Sequence, residues 1–175
     1  MRVGSEAFIS GENRLVNIEK EGHIIIKPGI FASLLTYEKV KIPENLIGLL
    51  SLKVGLKSNG LVNISGFHVD PGFSGHLIFT VFNIGPNPIT LRYKEEAFML
   101  FLAQLDNPAR YKGKHQGQER LNFELISKIT GEQIDFFQVK NKLLQIDSKL
   151  NFLLGTGLTA ILALLDIVIK FLVGK

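Results

Sequence analysis

FHVDPGFSGHLIFTVFN, residues 67–83, decides how this chain folds. Pro71, Gly72 and Gly75 form a tight turn between two strand-like runs, because proline pre-sets one backbone angle and glycine tolerates the left-handed one. An acid at the lip of such a turn, Asp70, is held by backbone geometry and can face a pocket.

Outward from this turn, residues 23–102 read as an all-β domain. Short apolar runs at His23–Ile26, Phe31–Leu35, Ile47–Leu50, Leu77–Phe82 and Phe98–Leu102 are separated by Pro, Gly and Asn clusters. Their spacing suits a barrel or jelly-roll sandwich. Residues 106–120 lack apolar periodicity and read as a loop or arm. From Phe136 the pattern changes. Apolar residues fall at Phe136, Val139, Leu143, Ile146, Leu150 and Leu153, in steps of 3, 4, 3, 4 and 3. That is a heptad seam, with Lys140, Lys142, Asp147 and Lys149 outside it; the plainer alternative is an amphipathic helix packed on its own domain.

Residues 152–173, FLLGTGLTAILALLDIVIKFLV, are almost wholly apolar, a length matching the hydrocarbon thickness of a bilayer. Asp166 and Lys170 lie one helical turn apart and can pair on one face. With Thr156, Thr159 and Ala163 they make a small or polar stripe at helical spacing, which in a membrane faces a bundle or an aqueous path. The expected division is therefore a β domain over 1–120, a linker and short heptad helix over 121–151, and a hydrophobic transmembrane helix over 152–175. The alternative for the last segment is a helix packed inside a soluble oligomer.

Four segments in register resemble the dCTP deaminase and trimeric dUTPase superfamily. The Asp-Pro-Gly-Phe-x-Gly turn at 70–75 is the first. Ile26-Lys27-Pro28-Gly29 with Thr36–Pro43 (TYEKVKIP) is similar to the deaminases' "PG…T-x-E-x-V-x-L-P" segment. Asn83–Leu91 (NIGPNPITL) is similar to their "N-x-G-x-x-P-I-x-L" turn, and Tyr111–Gln118 (YKGKHQGQ) to their "K-Y-x-G-Q" tail. The resemblance covers residues 20–118 and lies closest to the deaminase branch. It implies a mainly β, dUTPase-like barrel or jelly roll of the β-clip type, followed here by a C-terminal helical segment. It also implies a homotrimer with pockets between subunits.

The same resemblance assigns candidate residues. The family's catalytic glutamate aligns with Thr80, and threonine cannot act as a carboxylate base near neutral pH. The family's Arg-Ser-Ser segment falls at Lys53-Val54-Gly55 and its second arginine at Ser58, so a bidentate guanidinium fork is reduced to a lysine point charge. The late glutamine and glycine align with Met99 and Phe98. Asp70 is the candidate catalytic residue, as the water-activating aspartate of the dUTPase chemistry, and Phe73 is the aromatic that stacks on deoxyribose. Lys53, Tyr111, Lys114 and Gln118 are the candidate phosphate holders.

Composition limits the alternatives. The chain has 175 residues, enough for one domain and an appendage, and no cysteine, which excludes disulfides and thiolate metal sites. A net charge of +4, scattered along the chain, argues against a nucleic-acid groove. No signal peptide is expected at the N-terminus. His23, His68, His76 and His115 lack metal-ligand spacing, although His68 and Asp70, two apart on a strand, point to one side and could form an acid–base pair.

Two functional expectations follow. The first is a nucleotide-binding, catalytically degenerate module, tethered by its C-terminal helix to a membrane as a sensor or effector, with the β domain cytoplasmic and no cofactor of its own. The alternative is an active, divergent dUTP pyrophosphatase or dCTP deaminase taking Mg2+ with the triphosphate. A purely structural, membrane-anchored trimeric scaffold is a third possibility.

Overall fold

The computed structural model describes residues 1–12, 14–121 and 136–173, which divide into two compact units, Met1–Asp135 and Phe136–Lys175. The first unit is mostly antiparallel β structure and the second is a helix, so the mainly β fold with a C-terminal helical segment stands.

The strands of the first unit are β1 (Val3–Ile9), β2 (Arg14–Asn17), β3 (His23–Ile26), β4 (Phe31–Lys41), β5 (Leu46–Leu52), β6 (Leu61–Asn63), β7 (His68–Val69), β8 (Ser74–Asn83), β9 (Ile89–Arg92) and β10 (Phe98–Gln104). Two short helices, α1 (Ile18–Glu21) and α2 (Val54–Ser58), interrupt them. Three antiparallel sheets result, with strand orders β2-β1-β4-β8-β6, β10-β5-β7 and β3-β9. The N-terminal residues do more than the sequence pattern indicated. β1 is an inner strand of the largest sheet, although its Gly-Ser-Glu centre hides the apolar alternation.

β8 is the spine of the fold. Leu77, Phe79 and Val81 alternate inward and are buried, as a strand with one face on a core requires. Phe79 stacks on Phe98 of β10 with ring centroids 4.0 Å apart and planes 16° apart, which ties the first sheet to the second. The β4–β8 ladder slips between Leu35 and Lys39. The bulge is satisfied locally: the Leu77 amide donates to Thr36 Oγ1 at 2.9 Å, and His76 Nδ1 lies 2.9 Å from the Thr36 carbonyl. Past β8 the chain turns on Asn83, which is fully buried. Its Nδ2 donates to the carbonyls of Ile26 (2.8 Å) and Asn87 (2.9 Å), and its Oδ1 accepts from the Gly85 amide at 2.9 Å. This accounts for the Asn-Ile-Gly sequence of that turn.

The second unit is one continuous helix, α3 (Phe136–Val173). The heptad segment and the apolar stretch thus lie on a single helix with no break between them. Of the linker and short heptad helix expected over 121–151, residues 122–135 lie outside those described.

Candidate functional site

The Asp70–Phe73 segment is a type II turn: proline follows the first residue, Gly72 has φ 76°, and the Phe73 amide donates to the Asp70 carbonyl at 3.2 Å. The turn is fixed from both sides, since the Gly72 amide donates to the Ile42 carbonyl at 3.0 Å and the Tyr111 amide to the Pro71 carbonyl at 2.7 Å. Asp70 therefore stands at the mouth of a cavity of about 500 Å³.

The arm expected over 106–120 is ordered along β8. His76 and Gly117 amides donate to the carbonyls of Gln118 and Ser74, each at 2.8 Å. Gln116 bridges the turn, accepting from the Ser74 amide and donating to the Gly72 carbonyl, both at 3.1 Å. Gln118 Nε2 donates to the His76 carbonyl at 3.1 Å. Docked this way, the arm delivers Tyr111, His115 and Gln118 to the cavity lining, which also includes Ile64, Ser65 and His68.

Of the candidate residues, Asp70, Phe73, Tyr111 and Gln118 surround this one cavity. Phe73 is 6% exposed and meets Tyr111 edge to face, with centroids 5.7 Å apart. Gln118 Oε1 lies 3.1 Å from His115 Nδ1, which holds both side chains at the rim. Lys53 and Lys114 are not in the lining. Lys53 precedes α2, and its ammonium bonds Glu96; that hydrogen bond, with the lysine charge, holds the Glu96 carboxyl below its usual range. Lys114 is exposed on the arm between Gly113 and His115.

Thr80 is the informative position. It lies in the cavity wall, 8% exposed, with its Oγ1 3.0 Å from Ser33 Oγ, and Ser33 is buried as well. The hydroxyls satisfy one another, so this wall carries no ionisable group where the resemblance put the deaminases' glutamate. Ser33 had no marker in the sequence, because a lone serine inside an apolar run shows its role only through its cross-strand partner. Among the described lining residues the only carboxylate is Asp70. His68 Nε2 is 3.5 Å from its Oδ1, and both side chains are about half exposed. No group of three His, Asp or Glu side chains with metal-holding geometry occurs among the described residues.

The described strands thus make a mostly antiparallel unit with a turn-borne aspartate lining a cavity beside the arm. A family model described as dCTP deaminase-like matches residues 6–105, and the chain belongs to that family. It is 36% identical over 131 residues to the dCTP deaminase of Pyrococcus furiosus, spanning 74% of this chain and 82% of that one. The dCTP deaminase of Pyrobaculum arsenaticum is 38% identical over 104 residues, which span 59% of this chain and 58% of that one. Among solved structures, the dCTP deaminase of Agrobacterium tumefaciens aligns with a TM-score of 0.45 at 17% identity, over 49% of this chain and 27% of that one.

Proposed function

We propose that the β unit is a nucleotide-binding module of the dCTP deaminase-like family that has lost deaminase chemistry, and that α3 holds it at a membrane. The single observation carrying this reading is Thr80. A neutral hydroxyl, already paired with Ser33, stands where the family's acid belongs, while the surrounding Asp70, Phe73, Tyr111 and Gln118 still offer an anion, two rings and an amide around one cavity. Losing a general base costs on the order of a hundredfold or more in rate, and the lysine at position 53 lacks the bidentate fork as well. The family resemblance supports a homotrimer in which a neighbouring copy completes the pocket, with dCTP- or dUTP-like ligands.

Membrane attachment is supported by α3. The stretch Val139–Lys170 is long and apolar enough to cross a bilayer. Within its apolar half, residues 152–173, the polar side chains bond on the same helix: Thr156 Oγ1 donates to the Phe152 carbonyl at 2.9 Å, Thr159 Oγ1 to the Thr156 carbonyl at 2.9 Å, and Lys170 Nζ to Asp166 Oδ2 at 2.6 Å. Closing every polar group on its own helix is what a segment surrounded by hydrocarbon needs. In this reading the β unit faces the cytoplasm.

The test is calorimetry on the detergent-solubilised full chain with dCTP and dUTP, alongside product analysis. Binding without turnover is expected; brisk conversion of either nucleotide overturns the reading. A second reading, dUTP pyrophosphatase activity, is favoured by the His68–Asp70 contact at the cavity mouth. There Asp70 takes a proton from water that attacks the triphosphate, and magnesium arrives on the phosphates as part of the substrate. Pyrophosphate released by the wild type and not by Asp70→Asn would establish it.

A further inference from the structure

We propose that α3 is a self-association surface, joining copies of this chain in a parallel, in-register bundle of three helices whose seam runs without interruption from the charged half into the apolar half. The proposal deepens the membrane-anchored reading above, and it rests on that reading's trimer for the choice of three.

The unbroken helix allows the heptad to be followed beyond Leu153, where the apolar stretch conceals it. First-position (a) residues are Leu143, Leu150, Gly157 and Leu164. Fourth-position (d) residues are Val139, Ile146, Leu153, Ala160 and Ile167. None is polar over about four heptads, the length at which such a repeat becomes a dependable signal. The large seam residues all stand exposed on the helix. A lone helix ending in water with this seam uncovered is not stable in isolation.

The sequence around the seam identifies what covers it. The flanking g positions are Lys142 and Lys149, and the e positions are Lys140 and Asp147. In a parallel, in-register pair, g meets the partner's e five residues on, so Lys142 faces Asp147. An antiparallel pair would set g against g and bring lysine to lysine. Side-chain shape adds a second constraint. Leucine at a (Leu143, Leu150, Leu164) with β-branched residues at d (Val139, Ile146, Ile167) disfavours two strands and selects three or four. Where the seam enters the apolar half it narrows to Gly157 and Ala160, and small residues at consecutive layers let helices approach closely in lipid. Lys170 falls at a g position flanking the seam and already pairs with Asp166 at the outer c position, so the bundle can close without burying an unmatched charge.

The chain contains no cysteine, so single introduced thiols report alone. The full chain in detergent, carrying Leu143→Cys, Ile146→Cys or Leu164→Cys, is expected to form disulfide-linked pairs on mild oxidation, at least tenfold faster than the outward-facing Ser148→Cys. Detergent-corrected sedimentation is expected to give the mass of three chains. In the Ile146→Cys background, Lys142→Asp and Asp147→Lys should each slow cross-linking, and the two together should restore it. Equal rates at 146 and 148, failure of the double charge exchange to rescue, or a mass other than three would overturn the proposal. A trimeric mass without seam cross-links would also overturn it, assigning assembly to the β unit alone. Heptad-patterned cross-links at trimeric mass in a preparation that binds no dCTP or dUTP would uphold it and refute the ligand reading instead.

Discussion

At the scale of single residues, the cavity's chemistry is set by one hydroxyl pair and one carboxylate. Thr80 and Ser33 satisfy each other in a buried wall, so removing one leaves the other stranded. Thr80→Val keeps the shape and orphans the Ser33 hydroxyl. It should cost about 1–3 kcal/mol of stability, read as a lower denaturation midpoint. Asp70 behaves differently, since it is half exposed and contributes little to folding. Asp70→Asn removes the charge at nearly constant volume. Loss of a charge-assisted hydrogen bond is worth about 1.5–3 kcal/mol, so the variant should bind dCTP or dUTP at least about tenfold more weakly while its thermal midpoint stays within about 2 °C of wild type, at the small shift expected of surface substitutions. Calorimetry and thermal denaturation on the same sample separate the two. A collapse in stability without loss of binding would show that the residue supports the fold and not the ligand.

At the scale of elements, the turn and the arm form one device, because the arm's backbone bonds go to the turn and to the first residues of β8. Gly75 shows how close the approach is: a Cβ there would sit 2.9 Å from the Gln118 nitrogen and 3.0 Å from its carbonyl oxygen. Gly75→Ala should therefore push the arm off β8, moving Tyr111 and Gln118 out of the cavity wall. Faster amide exchange across 111–118, together with weakened nucleotide binding, is the expected result, and an unchanged exchange pattern would show that the arm accommodates the methyl group. Much of this device was legible in the sequence. Asp-Pro-Gly-Phe-x-Gly announces its turn because proline and glycine constrain the backbone locally, and β8 announces itself because its apolar alternation is strong. The ordering of the arm was not legible: it depends on main-chain bonds to β8 and on Gln116 and Gln118, whose amides look the same in a solvated loop. β1 escaped notice for a related reason. Its strand character comes from pairing with β4 on one side and β2 on the other, while its own Gly-Ser-Glu sequence favours neither strand nor core. Lys53 fails to reach the cavity because it answers Glu96, a partner that sequence proximity does not suggest.

At the scale of the whole molecule, pH acts on one identifiable part and the proposed membrane attachment on another. The Arg2 amide and Nε both donate to Glu38 at 2.7 Å, joining the start of the chain to β4. Partial burial raises the Glu38 carboxyl, but the two bonds from Arg2 outweigh it and hold it below its ordinary value of 4.5. A depressed carboxylate stabilises the fold above that ordinary value, and the contribution disappears as pH falls through the lowered one. The pair is partly solvated, so its share is at most about 1 kcal/mol. Glu38→Gln should lower the thermal midpoint at pH 7 and leave it nearly unchanged near pH 3; a constant difference across that range would remove the ion pair as the cause. The apolar half of α3 makes the larger demand. Burying a fully exposed Leu or Ile side chain is worth about 1.5–3 kcal/mol, and residues 152–173 carry many of them, against the price of one ion pair that is already closed. Full-length protein made in cells should therefore sediment with membranes and resist extraction by high salt or alkaline carbonate, since neither weakens contact with hydrocarbon. A chain ending at residue 151 should remain in the supernatant with its β unit folded. Release of the full-length protein by salt alone would mean that lysines such as Lys140, Lys142 and Lys149 hold it to a charged surface, and recovery of the untreated chain as a detergent-free particle would mean that protein, not lipid, covers the helix.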